Sequence, residues 1–290
     1  MIHLIGVDEV LKNMAVLGAP LSRKSPAGFD EIEFGFHDFL RDYQPDVPRS
    51  NILGSQIIDD REMEDKLTEL YRTDALLNDR EQSSLIGDPL EDGLREKRNN
   101  FLLTAIEEMK DKMPKNFYVF QMTIDSLFQR NSIGSGGGST SNAVGVIWIN
   151  SRNHWHKQDL TELLIHELTH NLVFIDELRY LHFRDYKLLQ KKENYAKSAI
   201  LNMNRPIDKV FHSIIVAVEV LIARRNYLSE PEKTHVHPPS GKMITQTLEA
   251  PDSLTSLENY KNLLTDRGQS LILKCREHID IMIMQERKSA

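Results

Sequence analysis

The amino-acid sequence predicts an α+β fold that is predominantly helical, with a small sheet beside a helix that carries an HExxH motif. Helical spacing of apolar side chains dominates the 290 residues. One short apolar stretch, residues 143–150, is rich in β-branched side chains and follows a segment of glycine and serine. A long helical pattern starts soon after this strand and contains the motif, at residues 166–170.

Residues 1–115 are expected to form a mostly helical N-terminal region. Helices are predicted over residues 29–44, 59–85 and 93–112. Pro45 and Pro114 are expected to end the first and the last of these, because proline lacks the N–H group that a continuing helix needs. Gly35 is expected to interrupt the first helix, and residues 87–89 predict a turn between the other two.

Residues 116–230 are expected to form the core that carries the motif. Strands are predicted over residues 116–124 and 143–150, on either side of a glycine-rich loop at 134–142. Asp159 is the expected N-cap of the motif helix, because a short acidic side chain can accept from the first free N–H groups. Pro206 is well placed to open a second, nearly all-apolar helix that runs to about Asn226.

Residues 231–290 are expected to form a C-terminal loop and helices. The helices are predicted over residues 254–264 and 270–286. The loop holds His235 and His237, which are weak metal candidates because the tract is short. His154 and His156, just before the motif helix, could form a second metal site, but a polar loop before a helix explains them as well.

Charge and cysteine content exclude several classes of protein. With 36 basic and 43 acidic residues the net charge is −7, which argues against a nucleic-acid partner. The single cysteine, Cys275, cannot form an internal disulfide, so a cytoplasmic location is expected. The longest apolar run, residues 214–223, is too short to cross a membrane. Oligomeric state stays open.

The HExxH motif is the feature that carries chemistry. On a helix, positions i and i+4 share a face, so His166 and His170 can chelate one metal ion, while Glu167 points towards a metal-bound water. A glycine-rich loop, a strand and then the helix is the order found in zincin-like cores. The alternative is a helix that carries two solvent-facing histidines on the side away from its leucines.

A catalytic metal site usually needs a third protein ligand, and the sequence offers two. The metzincin extension is absent, because Val173 stands where that motif needs glycine. His212 and Glu219 share a helix face but differ by about 10 Å along the axis, so both can hardly bind one ion. Glu219 would make a gluzincin-type zinc peptidase with Glu167 as general base. His212 would make a three-histidine site for zinc or iron. Either side chain could instead be satisfied by a hydrogen bond or by an arginine.

Residues 135–225 resemble the HExxH-motif peptide-modification proteins of bacterial gene clusters for ribosomally synthesised peptides. The likeness rests on residues 166–170 and on four later positions at matching spacings: Ser198, Arg205, Pro206 and His212. In the family pattern the serine is followed by Pro-Trp-Arg, whereas this chain has Ala199, Ile200 and Leu201. That departure puts any role of the family's arginine at this position in doubt.

The resemblance implies a non-haem Fe(II)- and 2-oxoglutarate-dependent peptide β-hydroxylase. Its metal would be held by His166, His170 and His212, and Glu167 would not be an obligatory base. Arg205 would bind the distal carboxylate of 2-oxoglutarate, with Arg224 as the reserve candidate.

The substrate is expected to be a peptide or protein segment that pairs with the strand at 143–150. This expectation applies to a hydroxylase and to a peptidase alike. The zinc metallopeptidase is the second hypothesis. A non-catalytic peptide-binding protein is the third.

Overall fold

A computed structural model of the chain describes residues 1–19, 28–72 and 86–289, with side chains to residue 285. Helices are the main elements: α1 (Ile2–Ile5), α2 (Val7–Gly18), α3 (Phe29–Tyr43), α4 (Arg61–Arg72), α5 (Asp92–Lys112), α6 (Pro114–Thr123), α7 (Lys157–Tyr180), α8 (Tyr186–Leu189), α9 (Ile207–Ala223), α10 (Ser240–Thr255), α11 (Tyr260–Leu263) and α12 (Asp266–Ser289). A 3₁₀ turn spans Lys192–Asn194, and a π-helical turn, Arg224–Leu228, extends α9.

The strands are short and form two sheets. They are β1 (Gln56–Ile57), β2 (Ile86–Pro89), β3 (Ser126–Ser132), β4 (Gly137–Gly138), β5 (Val146–Ile149), β6 (Ala196–Lys197) and β7 (Asn204–Arg205). In the larger sheet the order is β1-β3-β5-β4, and β2 pairs with the end of β3. Strands β6 and β7 form a separate antiparallel pair. The predicted α+β class, mostly helical with a small sheet, is confirmed.

Two helices, α7 and α9, form the centre of the molecule and pack against each other. Nearly every residue of α9 is buried, as expected of a helix that is apolar on all sides. The main hydrophobic core surrounds these helices and draws side chains from all three predicted segments, 1–115, 116–230 and 231–290. The motif residues 166–170 lie in the middle of α7, so the core holds them from several directions.

Helix α3 confirms the prediction for residues 29–44, except that Gly35 does not interrupt it. A Cβ atom on Gly18, at the end of α2, would lie 2.6 Å from the carbonyl carbon of Gly35. The two backbones therefore approach each other more closely than side chains would permit. Glycine is needed here for the contact between two helices, and the helix tolerates its low propensity.

Residues 116–124 are the clearest error of the sequence prediction, because they form α6 and its C-cap rather than a strand. Pro114 does not merely end α5; it opens α6, where its missing N–H costs nothing. Val119, Phe120 and Met122 are buried against the core, and this burial outweighs their preference for strands. The strand of this region, β3, begins only at Ser126.

Other boundaries also differ from the prediction. The helix expected over 59–85 is observed as α4, and residues 73–85 lie outside the described part of the chain. The turn expected at 87–89 is part of strand β2. Helix α10 was not predicted, and it continues through Pro251 to Thr255. The helix expected over residues 254–264 is observed only as the end of α10 and the short helix α11. No helix in the described ranges has both the length and the apolar character needed to cross a bilayer.

Strand β5 corrects the expectation that the stretch 143–150 offers an open edge. It pairs in parallel with β3 on one side and antiparallel with β4 on the other. Its main-chain groups are therefore already used by neighbouring strands. The edge of the sheet is β4, inside the glycine-rich segment, and no strand of the described residues pairs with its outer side.

Candidate active site

The motif helix α7 begins at Lys157, and its N-cap is His156 rather than the expected Asp159. The two residues form a capping box, in which the His156 side chain accepts from the Asp159 N–H. In return, the Asp159 carboxylate accepts from the His156 N–H at 2.8 Å. Asp159 is therefore the third residue of the helix. The cap fixes the start of α7 and so the direction in which its later side chains point.

Four histidines form a continuous row beside the middle of α7. His166 Nε2 lies 3.0 Å from His170 Nε2, and His170 Nδ1 lies 2.9 Å from His212 Nδ1. At the other end, His166 Nδ1 lies 2.8 Å from His237 Nε2. The first pair belongs to α7, while His212 comes from α9 and His237 from the loop before α10. We call His237, His166, His170 and His212 the histidine row.

Burial lowers the pKa of three of these imidazoles, those of His166, His170 and His212, well below the ordinary value, and nearby basic side chains add to the effect. These three imidazoles are therefore neutral. A neutral imidazole keeps one nitrogen lone pair, which is what a metal ligand needs. As they stand, the nitrogens bond to one another in sequence and do not surround a common point. Accordingly, no group of three or more His, Cys, Asp or Glu side chains in the described residues is arranged to hold a metal ion.

One nitrogen of the row stands apart from the others. Nε2 of His212 is buried and has no hydrogen-bond partner among the described residues, whereas His212 Nδ1 faces His170. A buried polar atom without a partner costs free energy, so such atoms are uncommon and often mark function. The Phe174 ring, 5.2 Å from the His212 ring between centroids, packs against the imidazole.

Glu167 points from α7 towards the glycine-rich segment. Its carboxylate accepts from Ser139 Oγ at 2.8 Å and lies 3.9 Å from His166 Nε2. Burial raises the pKa of Glu167 to about 8, although the Ser139 hydrogen bond acts in the opposite direction. Asn171 donates to Ser139 Oγ at 3.0 Å and accepts from the Gly145 N–H at 2.7 Å, and so connects α7 to this segment and to the residue before β5.

A cavity of about 530 Å³ lies over the histidine row. All five of the predicted site residues line it: His166, Glu167, His170, Arg205 and His212. Its lining carries more positive than negative charge. Arg152, Arg205 and Lys209 are the basic residues of its described lining, and Glu167 is the acidic one. The remaining wall combines apolar side chains and glycines with serines, threonines and histidines. Such a cavity favours a ligand that carries negative charge.

Arg205 and Lys209 lie near the start of α9, four residues apart, and Lys209 is one turn before His212. Burial lowers the pKa of Arg205 and lowers that of Lys209 to about 8, against the opposing effect of Asp208, whose carboxylate is 3.3 Å from the ammonium group. Both cations are thus partly desolvated, which strengthens their attraction for an anion. Sequence reasoning found Arg205 but missed Lys209, although Lys209 lies three residues before His212 on the same helix, and this spacing was a usable signal.

Glu219 does not lie with the histidines. Its carboxylate accepts from the N–H groups of His3, at 2.9 Å, and Leu4, at 3.2 Å, and so fastens α1 to α9. Arg224, the reserve candidate for an anion, is also committed elsewhere, because it forms a buried ion pair with Glu162 at 2.7 Å. Of the two side chains that the sequence offered, His212 therefore lies beside the motif histidines and Glu219 does not.

The other histidines named from the sequence divide into two groups. His237 belongs to the histidine row, although the sequence marked it only as a weak candidate. His235 forms a cluster at the rim with His154 and His156, at 5.0 and 5.6 Å between ring centroids, and His235 Nδ1 lies 2.9 Å from Asp159 Oδ2.

The glycines of the segment before β5 are explained by two tryptophans. A Cβ atom on Gly136 would lie 2.6 Å from the Trp155 ring, and one on Gly138 would lie 2.6 Å from Trp148 Nε1. Both indoles line the cavity. The segment predicted as a glycine-rich loop contains a short strand packed directly on aromatic rings, and only glycine leaves room for them.

Comparison with known proteins adds no assignment. The chain matches no protein-family model and no curated protein sequence.

Proposed function

We propose that the protein is a non-haem Fe(II)- and 2-oxoglutarate-dependent hydroxylase that acts on a peptide or protein segment, with β-hydroxylation as the reaction. One observation carries the proposal. The two motif histidines and His212 meet in a cavity whose wall also carries Arg205 and Lys209. A dicarboxylate such as 2-oxoglutarate needs this combination, because one end binds a metal and the other end needs a cation.

The donor set suits a metal ion. Neutral imidazoles bind iron as readily as zinc. His166 and His170 would bind through the Nε2 atoms that already face each other, and His212 would add its unpartnered Nε2 after its contact with His170 opens. When bound, Fe(II) would supply the open coordination positions for the 2-oxo acid and O2, and with them the oxidising chemistry.

The remaining residues would bind and orient. Arg205 and Lys209 would hold the distal carboxylate, where a guanidinium can bond both oxygens at once. Glu167, held by Ser139, would orient a water or a ligand rather than act as an obligatory base. Trp148 and Trp155 would exclude bulk water from this side of the cavity.

A peptide substrate would pair with the outer side of β4, because an extended chain can add to the edge of a sheet. It would replace Ser135 Oγ as the partner of the Gly137 N–H and C=O groups. The motif helix, the small sheet and this antiparallel edge strand together support a zincin-like core. The cytoplasmic location predicted from the sequence is part of the proposal, since Fe(II) chemistry needs a reducing environment.

A zinc metallopeptidase is the second candidate, favoured by the position of Glu167. Its carboxylate lies in the cavity, 3.9 Å from His166 Nε2, where a general base would activate a zinc-bound water. The same three histidines would hold the zinc, because Glu219 is engaged with main-chain N–H groups.

The first experiment is anaerobic titration of the metal-free protein with Fe(II) and then with 2-oxoglutarate, followed by visible absorbance. We expect a weak charge-transfer band that needs protein, iron and cosubstrate together. His212→Ala should abolish it. His278→Ala, on α12 and outside the cavity lining, is the matched control and should leave the band unchanged.

The other outcomes separate the candidates. Tightly bound zinc, no band and cleavage of peptides would establish the peptidase. A protein that binds neither metal and still binds peptides would be the non-catalytic binding protein. A band of full strength in His212→Ala would show that the third ligand is wrong.

A further inference from the structure

We propose that His237, backed by Glu162 and Arg224, is a positioning residue for His166: it holds His166 in the tautomer that leaves Nε2 free for a metal ion. The inference rests on the metal site proposed above and extends it to a part of the chain that the motif does not contain. His237 lies 71 residues beyond His166, in the loop before α10.

The contacts form an unbroken line. Arg224 donates to both carboxylate oxygens of Glu162, from Nε at 2.8 Å and from Nη2 at 2.7 Å. One of these oxygens, Oε2, lies 3.3 Å from His237 Nδ1, and His237 Nε2 lies 2.8 Å from His166 Nδ1. Glu162 and His166 are four residues apart on α7, so the same helix carries both ends of the line.

The carboxylate sets the direction of these hydrogen bonds. Burial alone would raise the pKa of Glu162, but the bonds from His237 and Arg224 outweigh it and lower the pKa to about 2, so Glu162 is an acceptor only. In the proposed arrangement His237 carries one proton, on Nδ1, 3.3 Å from the Glu162 carboxylate that accepts it. Its Nε2 must accept, and the donor is His166 Nδ1–H. His166 is left with a lone pair on Nε2, on the side of His170.

The loop holds His237 in place through the same arginine. Arg224 Nη1 donates to the Pro238 carbonyl at 2.7 Å and to Ser240 Oγ at 3.3 Å. His237 is 3% exposed, although it belongs to a loop. Arg224 thus orients the carboxylate and fastens the residue next to His237, and both effects restrict the imidazole. Partners of this kind typically change metal affinity by about 10- to 100-fold when they are removed.

The test begins with the tautomers, which need no metal. Long-range ¹H–¹⁵N spectra of the full chain at pH 8 should show the proton of His166 and that of His237 on Nδ1. In His237→Ala the preference of His166 for Nδ1–H should be lost. In His237→Gln the amide oxygen can still accept from His166 Nδ1–H, so the preference should return.

Metal affinity is then measured with Co(II) and Zn(II) against a competing chelator. We expect a 10- to 100-fold loss for His237→Ala, with recovery of most of it in His237→Gln. Lys233→Ala, an exposed position in the same loop, is the control and should bind as the unchanged chain does.

Three results would overturn the inference. They are a His166 proton on Nε2 in the unchanged chain, a tautomer that stays the same in His237→Ala, and a loss of metal that His237→Gln does not restore, which would make His237 a ligand. If the unchanged chain binds no metal, the proposed function fails. The tautomers then decide on their own whether His237 controls His166.

Discussion

Glu167 separates the two enzymatic candidates at the scale of a single residue. Glu167→Gln keeps an oxygen that can accept from Ser139 Oγ, so the fold and the metal content should be preserved. In a hydroxylase we expect turnover to fall by less than about tenfold, because no proton transfer depends on the carboxylate. A general base would instead contribute about 10²- to 10⁴-fold. The measurement is product formation under single-turnover conditions.

Glu193→Gln, at an exposed position of the 3₁₀ turn, is the control for this experiment. A fall in hydroxylation of more than a hundredfold with an unchanged metal content would contradict the assignment of Glu167 as an orienting group.

Arg205 and Lys209 carry the second prediction. Arg205→Met and Lys209→Met keep a similar apolar length but remove the charge, so the KM for 2-oxoglutarate should rise. A hydrogen bond to a charged group contributes about 1.5–3 kcal/mol, which corresponds to a rise of roughly 10- to 100-fold. The kcat should change little, because the distal carboxylate does not react.

Lys192→Met, at an exposed surface site, is the matched control and should leave the KM for 2-oxoglutarate unchanged. An unchanged KM in Arg205→Met together with a changed KM for the peptide would show that the cations bind the substrate rather than the cosubstrate.

At this scale the sequence predicts well which side chains of one helix lie together, and predicts badly which residues of distant segments join them. His166, Glu167 and His170 are set by one helix, and a spacing of four residues is enough to place two of them on one face. His237 joins the row through a loop 71 residues away, and no periodic pattern connects the two segments. Glu219 lies on the same helix as His212, and only its three-dimensional contacts with Met1, His3 and Leu4 exclude it.

At the scale of elements, the crossing of α2 and α3 provides a test of the packing. Gly18→Ala would place its Cβ 2.6 Å from the backbone of Gly35, and a backbone cannot move aside as a side chain can. We expect a loss of about 1–3 kcal/mol in the free energy of unfolding, measured by urea denaturation.

Gly93→Ala, near the start of α5, is the control, because no atom lies within 4 Å of its added Cβ. It should be neutral or stabilising by up to about 1 kcal/mol. Equal effects of the two substitutions would mean that the close contact between α2 and α3 does not govern stability.

The elements also show where sequence patterns mislead. Residues 116–124 have strand-forming side chains, but the core buries one side of them as a helix that a proline opens. Helix α10 contains a residue that normally interrupts helices, since Pro251 lies inside it and the helix continues. In α9 the apolar pattern and the proline before the helix agree with its burial, and that prediction was correct apart from the turn at its end.

At the scale of the whole molecule, Asp176 on α7 ties distant parts of the chain together. It accepts from Asn13 of α2 at 2.9 Å and from Arg267 of α12 at 2.6 Å, and its other oxygen lies 2.8 Å from His182 Nε2. Burial alone would raise the pKa of Asp176, but His182 and Arg267 outweigh it and hold the pKa well below the ordinary value.

This lowered pKa predicts how stability changes in acid. A carboxyl group whose pKa is lower in the folded than in the unfolded chain stabilises the fold fully above about pH 4. The contribution is lost as the pH falls through the folded-state pKa. Asp176→Asn should cost about 3–5 kcal/mol at pH 7 in urea denaturation, because Arg267 loses its buried partner.

The difference in the free energy of unfolding between Asp176→Asn and the unchanged chain should become smaller between pH 4 and pH 2. Asp280→Asn, on the partly exposed face of α12, is the control and should change stability by less than about 0.5 kcal/mol at every pH. A difference in the free energy of unfolding that stays constant with pH would refute a role for the Asp176 charge.

The packing of glycine against indole rings has a practical consequence. The chain contains two tryptophans, and both line the cavity, at 2% and 8% exposure. The tryptophan fluorescence of the molecule therefore comes from this one place. Cosubstrate, metal or peptide entering the cavity would change the emission without any attached label, and a quenching metal such as Co(II) would be detected directly.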